Sequence, residues 1–138
     1  MSKQEQTIYS QFRDLNRDGL NIPNTKPVLC TRHSESETLR HQVAKTVAAS
    51  VLSDAGYRTH SEVETDSGDE CDVIGYGHVS RNPIVVELEN ALTEQVKSKK
   101  LNQYLIGDVR EVYIIDLDNA PEEPDRLYKH IQTVTGLE

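Results

Sequence analysis

The alternation of apolar and polar positions divides the chain into segments. Near the N-terminus Ile8, Phe12 and Leu15 recur at i, i+4 and i+7, which predicts a short amphipathic helix over residues 5–16. The stretch DGLNIPNTKP after it is rich in turn formers and predicts irregular chain. Leu39, Val43, Val47 and Val51 form a continuous apolar stripe, and Ser34 with Glu37 three residues on makes a capping box. A longer helix is therefore predicted over residues 35–55, closed by Gly56. Strand candidates follow at residues 57–64, 71–76 and 84–89, separated by the turn Asp66-Ser67-Gly68-Asp69 and by a loop over residues 77–83. A polar, lysine-bearing helix is predicted over residues 92–106. The uninterrupted apolar run at residues 112–115 suits a strand buried on both faces. After a break at residues 121–124, Leu127, Ile131 and Val134 mark a last helix ending at Gly136.

This order is helix, three strands, helix, strand, helix. A meander followed by a helical crossover to another strand implies an α/β (α+β) domain: a mixed central sheet of about four strands flanked by helices. Residues 1–33 read as an N-terminal helical arm and residues 34–138 as the α/β domain. The arm packs on its own domain or on a partner, which makes it the candidate surface for a homo-oligomer or protein assembly. No internal repeat is visible.

Composition narrows the classes. A chain of 138 residues fits one domain. With 36% apolar residues, one Phe and no Trp, its core must come from Val, Ile, Leu, Ala and the six Tyr. No apolar run approaches the ~20 residues that span a bilayer, and the start MSKQEQ is no signal peptide. The expectation is a cytoplasmic protein without a membrane partner, carried in a virion if the gene is viral. A formal charge of −8 argues against general nucleic-acid binding, because phosphate attraction scales with Lys and Arg contacts. It leaves room for a local basic patch, and it also suits a high-salt, halophilic cytoplasm. Cys30 and Cys71 match neither a metal-ligand spacing nor a disulfide framework, and read as small, semi-buried residues.

Candidate chemistry lies in two places. Asp14, Asn16, Asp18 and Gly19 fit the first half of a calcium loop, but Thr25 stands where a bidentate Glu is required, and Pro23 and Pro27 spoil the exiting helix. An Asp-Gly turn closing a helix is the better reading. The second place is the strand at residues 84–89, where alternation puts Val85, Glu87 and Glu89 on one face. Asp72 opens the preceding strand candidate. If the two strands are antiparallel neighbours, Asp72, Glu87 and Glu89 converge. Like charges so close raise one another's pKa, and a divalent cation removes that penalty. Carboxylate oxygens suit Mg²⁺ or Mn²⁺, and a metal so held activates water and polarises a phosphoryl oxygen. No Gly-rich phosphate loop and no HExxH zinc pattern is present.

On these residues, Asp72 followed by Glu87-Leu88-Glu89 in this element order, the chain resembles the PD-(D/E)XK nuclease superfamily over about residues 34–118. The resemblance implies a restriction-endonuclease-like or Holliday-junction-resolvase-like fold and a metal-dependent DNA endonuclease, encoded by a virus, a mobile element or a DNA-processing system. Asp72 and Glu87 match the acidic ligands, with Cys71 where proline is common, and Glu89 stands where the family has lysine. There Glu89 takes the role of third ligand or general base. Lys97 or Lys99 on the following helix is then a migrated lysine that stabilises the transition state, with Lys45 as another candidate. His41-x-x-x-Lys45 and Glu62 are similar to the branch with competence-associated nuclease-like proteins. Lys97, Lys99, Lys100 and Arg110 make the one candidate basic patch for a DNA backbone. The alternative is a nuclease fold without chemistry, acting as an interaction or assembly component; the missing lysine, acidic surface and arm favour it.

Overall fold

The computed structural model describes residues 1–26 and 38–138. Its elements run α1 (Lys3–Arg17), β1 (Leu20–Asn21), α2 (Leu39–Asp54), β2 (Arg58–Thr65), β3 (Glu70–Tyr76), β4 (Ile84–Glu89), α3 (Glu94–Tyr104), β5 (Glu111–Asp116), a 3₁₀ turn (Leu117–Asn119) and α4 (Pro124–Thr135). The strands lie side by side in chain order. β1 to β4 are antiparallel neighbours; β5 joins β4 in parallel after the α3 crossover. The fold is thus a mixed α/β sheet with helices on both faces. It has five strands where about four were expected, the addition being the two-residue β1. No helix among the described residues is long and apolar enough to cross a membrane.

The sheet divides the core in two. On one face Val73, Ile84, Val86, Leu88 and Ile115 pack with Ala44, Ala48, Ala49, Val51 and Leu52 of α2 and with Leu127 and Ile131 of α4. On the other, Ile74, Tyr76 and Val85 pack with Ile8 and Leu15 of α1 and with Tyr104 of α3. α1 therefore spends its apolar face on its own sheet. Its start is capped by the Ser2 hydroxyl, which accepts from the Glu5 N–H at 3.1 Å. The Gln11 side chain accepts from the Gly77 N–H at 2.6 Å and ties the helix to the end of β3. Asp18 and Gly19 close α1: the Asp18 N–H bonds the Asp14 carbonyl at 3.0 Å, and Gly19 takes φ +103. The DLNRDG stretch is accordingly a helix terminus, with Asp14 in an ion pair to Arg17.

Several expectations shift. The Ser34–Glu37 box and Cys30 lie outside the described residues, and α2 is capped at Thr38, whose hydroxyl accepts from the His41 N–H at 3.1 Å. Leu39, expected in the buried stripe of α2, is 75% exposed. Of the stripe Val51 is buried, and the rest of the buried face is Ala44, Lys45, Ala48, Ala49 and Leu52, because small alanines let the helix approach the strands. β5 is not buried on both faces: as the sheet's edge strand it leaves Val112, Tyr113 and Ile114 half-covered and buries Ile115 alone. Cys71 is fully rather than partly buried. α4 starts with Pro124 in its first turn, ends at left-handed Gly136 and buries Leu127 and Ile131, while Val134 stays exposed.

Candidate functional site

Where β3 and β4 separate, side chains take over from the ladder. Their ladder pairs Gly75 with Ile84, Ile74 with Val85 and Val73 with Val86, and one further step sets Asp72 opposite Glu87. At that step two amides are satisfied by carboxylates from across the gap. The Asp72 N–H donates to Glu87 Oε2 at 2.6 Å, and the Leu88 N–H donates to Asp72 Oδ2 at 2.8 Å. Each strand end thus holds the other's acid. β2 extends the row, because Glu62 lies between Ser61 and Val63, the partners of Val73 and Cys71, and so stands opposite Asp72.

Two cations answer these acids from opposite faces. From α3, Lys100 Nζ donates to Glu87 Oε1 at 2.8 Å and lies 3.7 Å from Glu89 Oε2. It also sits 5.8 Å from the centre of the Tyr104 ring, one helical turn on. From α2, the fully buried Lys45 pairs with Glu62, which is held at φ +52 within β2. One turn before Lys45, His41 Nε2 lies 3.5 Å from Asp72 Oδ2. Thr38, His41, Asp72, Leu88, Glu89, Asn90 and Lys100 line an open cleft of about 280 Å³. Asp72 and Glu89 edge into it, whereas Glu87 is fully buried behind them.

The electrostatics of Glu87 are in conflict. Burial, and then the Asp72 carboxylate, push its pKa up to about 8, against the pull of Lys100 and the Asp72 N–H. Yet both its oxygens accept hydrogen bonds, the geometry of an ionised carboxylate. Burial alone would lower Lys100, but Glu87, Asp72 and Glu89 hold it raised and firmly cationic. With all groups ionised, Asp72, Glu87 and Glu89 outnumber Lys100, so the cluster carries surplus negative charge. Burial, followed by the Glu87 and Asp72 carboxylates, pushes the Cys71 thiol well up and leaves it an inert neighbour.

The structure brings together most of the expected residues but changes which lysine serves them. Asp72, Glu87 and Glu89 meet, with His41 beside them and the Lys45–Glu62 pair behind. Lys97 and Lys99 lie exposed on α3, and Lys100, expected only in the basic patch, is the one that reaches the acids. Its signal was available: Val96, Lys100 and Tyr104 share an i, i+4, i+8 stripe facing the sheet. Arg110 stands apart. It lines a cleft of about 270 Å³ with Arg81, Ile84 and Glu111, at the opposite end of β4 from the carboxylates.

The oxygen donors and the surplus charge suit a hard divalent cation. Among the described residues, however, no three His, Cys, Asp or Glu side chains form a metal-ligand group. The ammonium of Lys100 stands between Glu87 and Glu89 instead. No family model, no curated protein and no solved structure matches this chain.

Proposed function

We propose that the protein is a DNA endonuclease of PD-(D/E)XK type, hydrolysing phosphodiester bonds with Mg²⁺ or Mn²⁺ bound at Asp72, Glu87 and Glu89. The observation that carries this reading is the crossed bonding at the strand fork, Asp72 N–H to the Glu87 carboxylate and Leu88 N–H to the Asp72 carboxylate, with Glu89 and Lys100 lining the same cleft as Asp72. Asp72, Glu87 and Glu89 would hold the ion, which would supply activation of water and polarisation of a phosphoryl oxygen. Backbone amides orient Asp72 and Glu87, and an ion that takes Glu87 as a ligand displaces the Lys100 ammonium from its Oε1. Glu89 is about a quarter exposed, at 27%, and faces the cleft, where it accepts a proton from an attacking water. Lys100 places positive charge where a phosphorane oxyanion develops. Lys97 and Lys99 face solvent on the same helix and supply backbone contacts that offset the repulsion between DNA and a chain of charge −8. Supercoiled plasmid incubated with Mn²⁺ tests the reading: wild type nicks it and Glu87→Ala does not. Equal nicking by both proteins removes the catalytic assignment.

A second reading has its own support. Lys100 pairs directly with Glu87 at 2.8 Å, a charge balance that suits an assembly module on a nuclease-like fold with no chemistry of its own. Calorimetric titration with Mn²⁺ alongside light scattering separates the two. Absence of a binding isotherm together with a defined oligomer selects the module.

A further inference from the structure

We propose that Asp118 is a positioning residue that holds Lys100 against Glu87. This rests on the nuclease reading for its catalytic meaning, though not for its geometry. Asn90, Ala91 and Leu92, followed by the cap residue Thr93, are all that separate the end of β4 from the start of α3. The direction α3 takes away from the sheet, and hence where Lys100 lands, is therefore set by the backbone of this connection. Ala91 holds φ +51, a left-handed conformation costly for a residue with a Cβ and kept only when surroundings impose it. What imposes it is Asp118, whose Oδ2 accepts from the Ala91 N–H at 2.7 Å.

Asp118 is itself fixed. It belongs to the 3₁₀ turn after β5, where Asp116 Oδ1 accepts from the Asp118 N–H at 3.2 Å and Asp116 Oδ2 accepts from the Asn119 amide at 2.6 Å. The Arg40 guanidinium donates to the carbonyls of Leu117, Ala120 and Pro121 at 2.9, 3.0 and 3.0 Å. Arg40 immediately precedes His41, a wall of the cleft. One turn of chain thus ties together the start of α2, the exit of β4 and the entry to α3, none of it by touching a reacting group.

Lysine footprinting with acetic anhydride, read by mass spectrometry, tests this on the whole chain. In wild type, Lys100 acetylates more slowly than Lys97 and Lys99 on the same helix. In Asp118→Ala its rate rises several-fold toward theirs, while Asp118→Asn, which retains an acceptor, preserves the protection. Lys100 equally protected in Asp118→Ala overturns the proposal. Buried Lys45 reports unfolding. Should it label, Ala91→Val, which removes the left-handed residue and leaves Asp118 in place, faces the same two outcomes. In plasmid nicking, Asp118→Ala lowers kcat with KM unchanged. A released Lys100 with unaltered kcat upholds the positioning role and removes Lys100 from the chemistry, so failure of the two readings is told apart.

Discussion

Replacing Glu87 by Gln tests the charge conflict at the strand fork without changing the side chain's shape. The wild-type carboxyl is fully buried, and its pKa in the fold, about 8, lies above the ordinary 4.5. A carboxyl raised on folding binds its proton more tightly in the native than in the unfolded chain. Its stabilising contribution is complete below about pH 4.5 and is lost as pH rises through about 8. Each tenfold in proton affinity is worth about 1.4 kcal/mol, so the whole interval corresponds to roughly 5 kcal/mol as an upper bound. Glutamine carries no such dependence. Its amide fits the Lys100 ammonium poorly, but that penalty is a constant offset across the range. In metal-free buffer, urea denaturation from about pH 5 to about pH 9 should therefore show wild type losing stability relative to Glu87→Gln. The loss approaches about 1.4 kcal/mol per pH unit in the middle of the range and levels off above about pH 8. Two curves that run parallel over that range would show that burial and Asp72 do not oppose ionisation of Glu87, and the argument for a compensating cation would go with it.

Lys100→Met, which leaves the Glu87 carboxylate buried without its ammonium, should reduce Mn²⁺-dependent plasmid nicking by about a hundredfold or more. Lys97→Met and Lys99→Met should instead reduce the salt dependence of DNA binding, measured by fluorescence anisotropy. Lys45→Met strands Glu62 in the interior and should cost about 3–5 kcal/mol in urea denaturation, most of it recovered when Glu62→Leu is added. Gly77→Ala places a Cβ 2.5 Å from Ile8 Cγ1 at φ +77, so it should destabilise the fold by about 1–3 kcal/mol and speed amide exchange in α1 ahead of the sheet.

Much of this architecture can be read from the residues, and the misreadings have physical causes. β4 is legible to the residue because Pro83 and Asn90 bracket an apolar run that ends in acids. β1 is not, since Leu20 and Asn21 are a strand only through their pairing with Thr65 and Glu64. The stripe through Leu39 fails because a helix lying close to a sheet buries alanines, which hydrophobic patterning undervalues. Residues 112–115 have the composition of a central strand, but position within a sheet is decided by partners, and β5 has one. At the site, alternation and element order suffice to bring Asp72 to Glu87 and Glu89. Which of three neighbouring lysines turns inward depends on the phase of α3, and that is fixed by the strained Ala91 connection, which no composition rule flags.

The alanines of α2 carry a consequence for how such a cleft can change. Ala44, Ala48 and Ala49 are the spacers between this helix and the strands, and His41 rides on the same rigid rod as they do. The height of the His41 wall above Asp72 is then governed by a few methyl groups rather than by any acid or base. Enlarging one spacer would lift the rod and widen the mouth of the cleft while every charged partner kept its identity. The width of the cleft is therefore adjustable through packing volume alone, independently of the charged groups that line it.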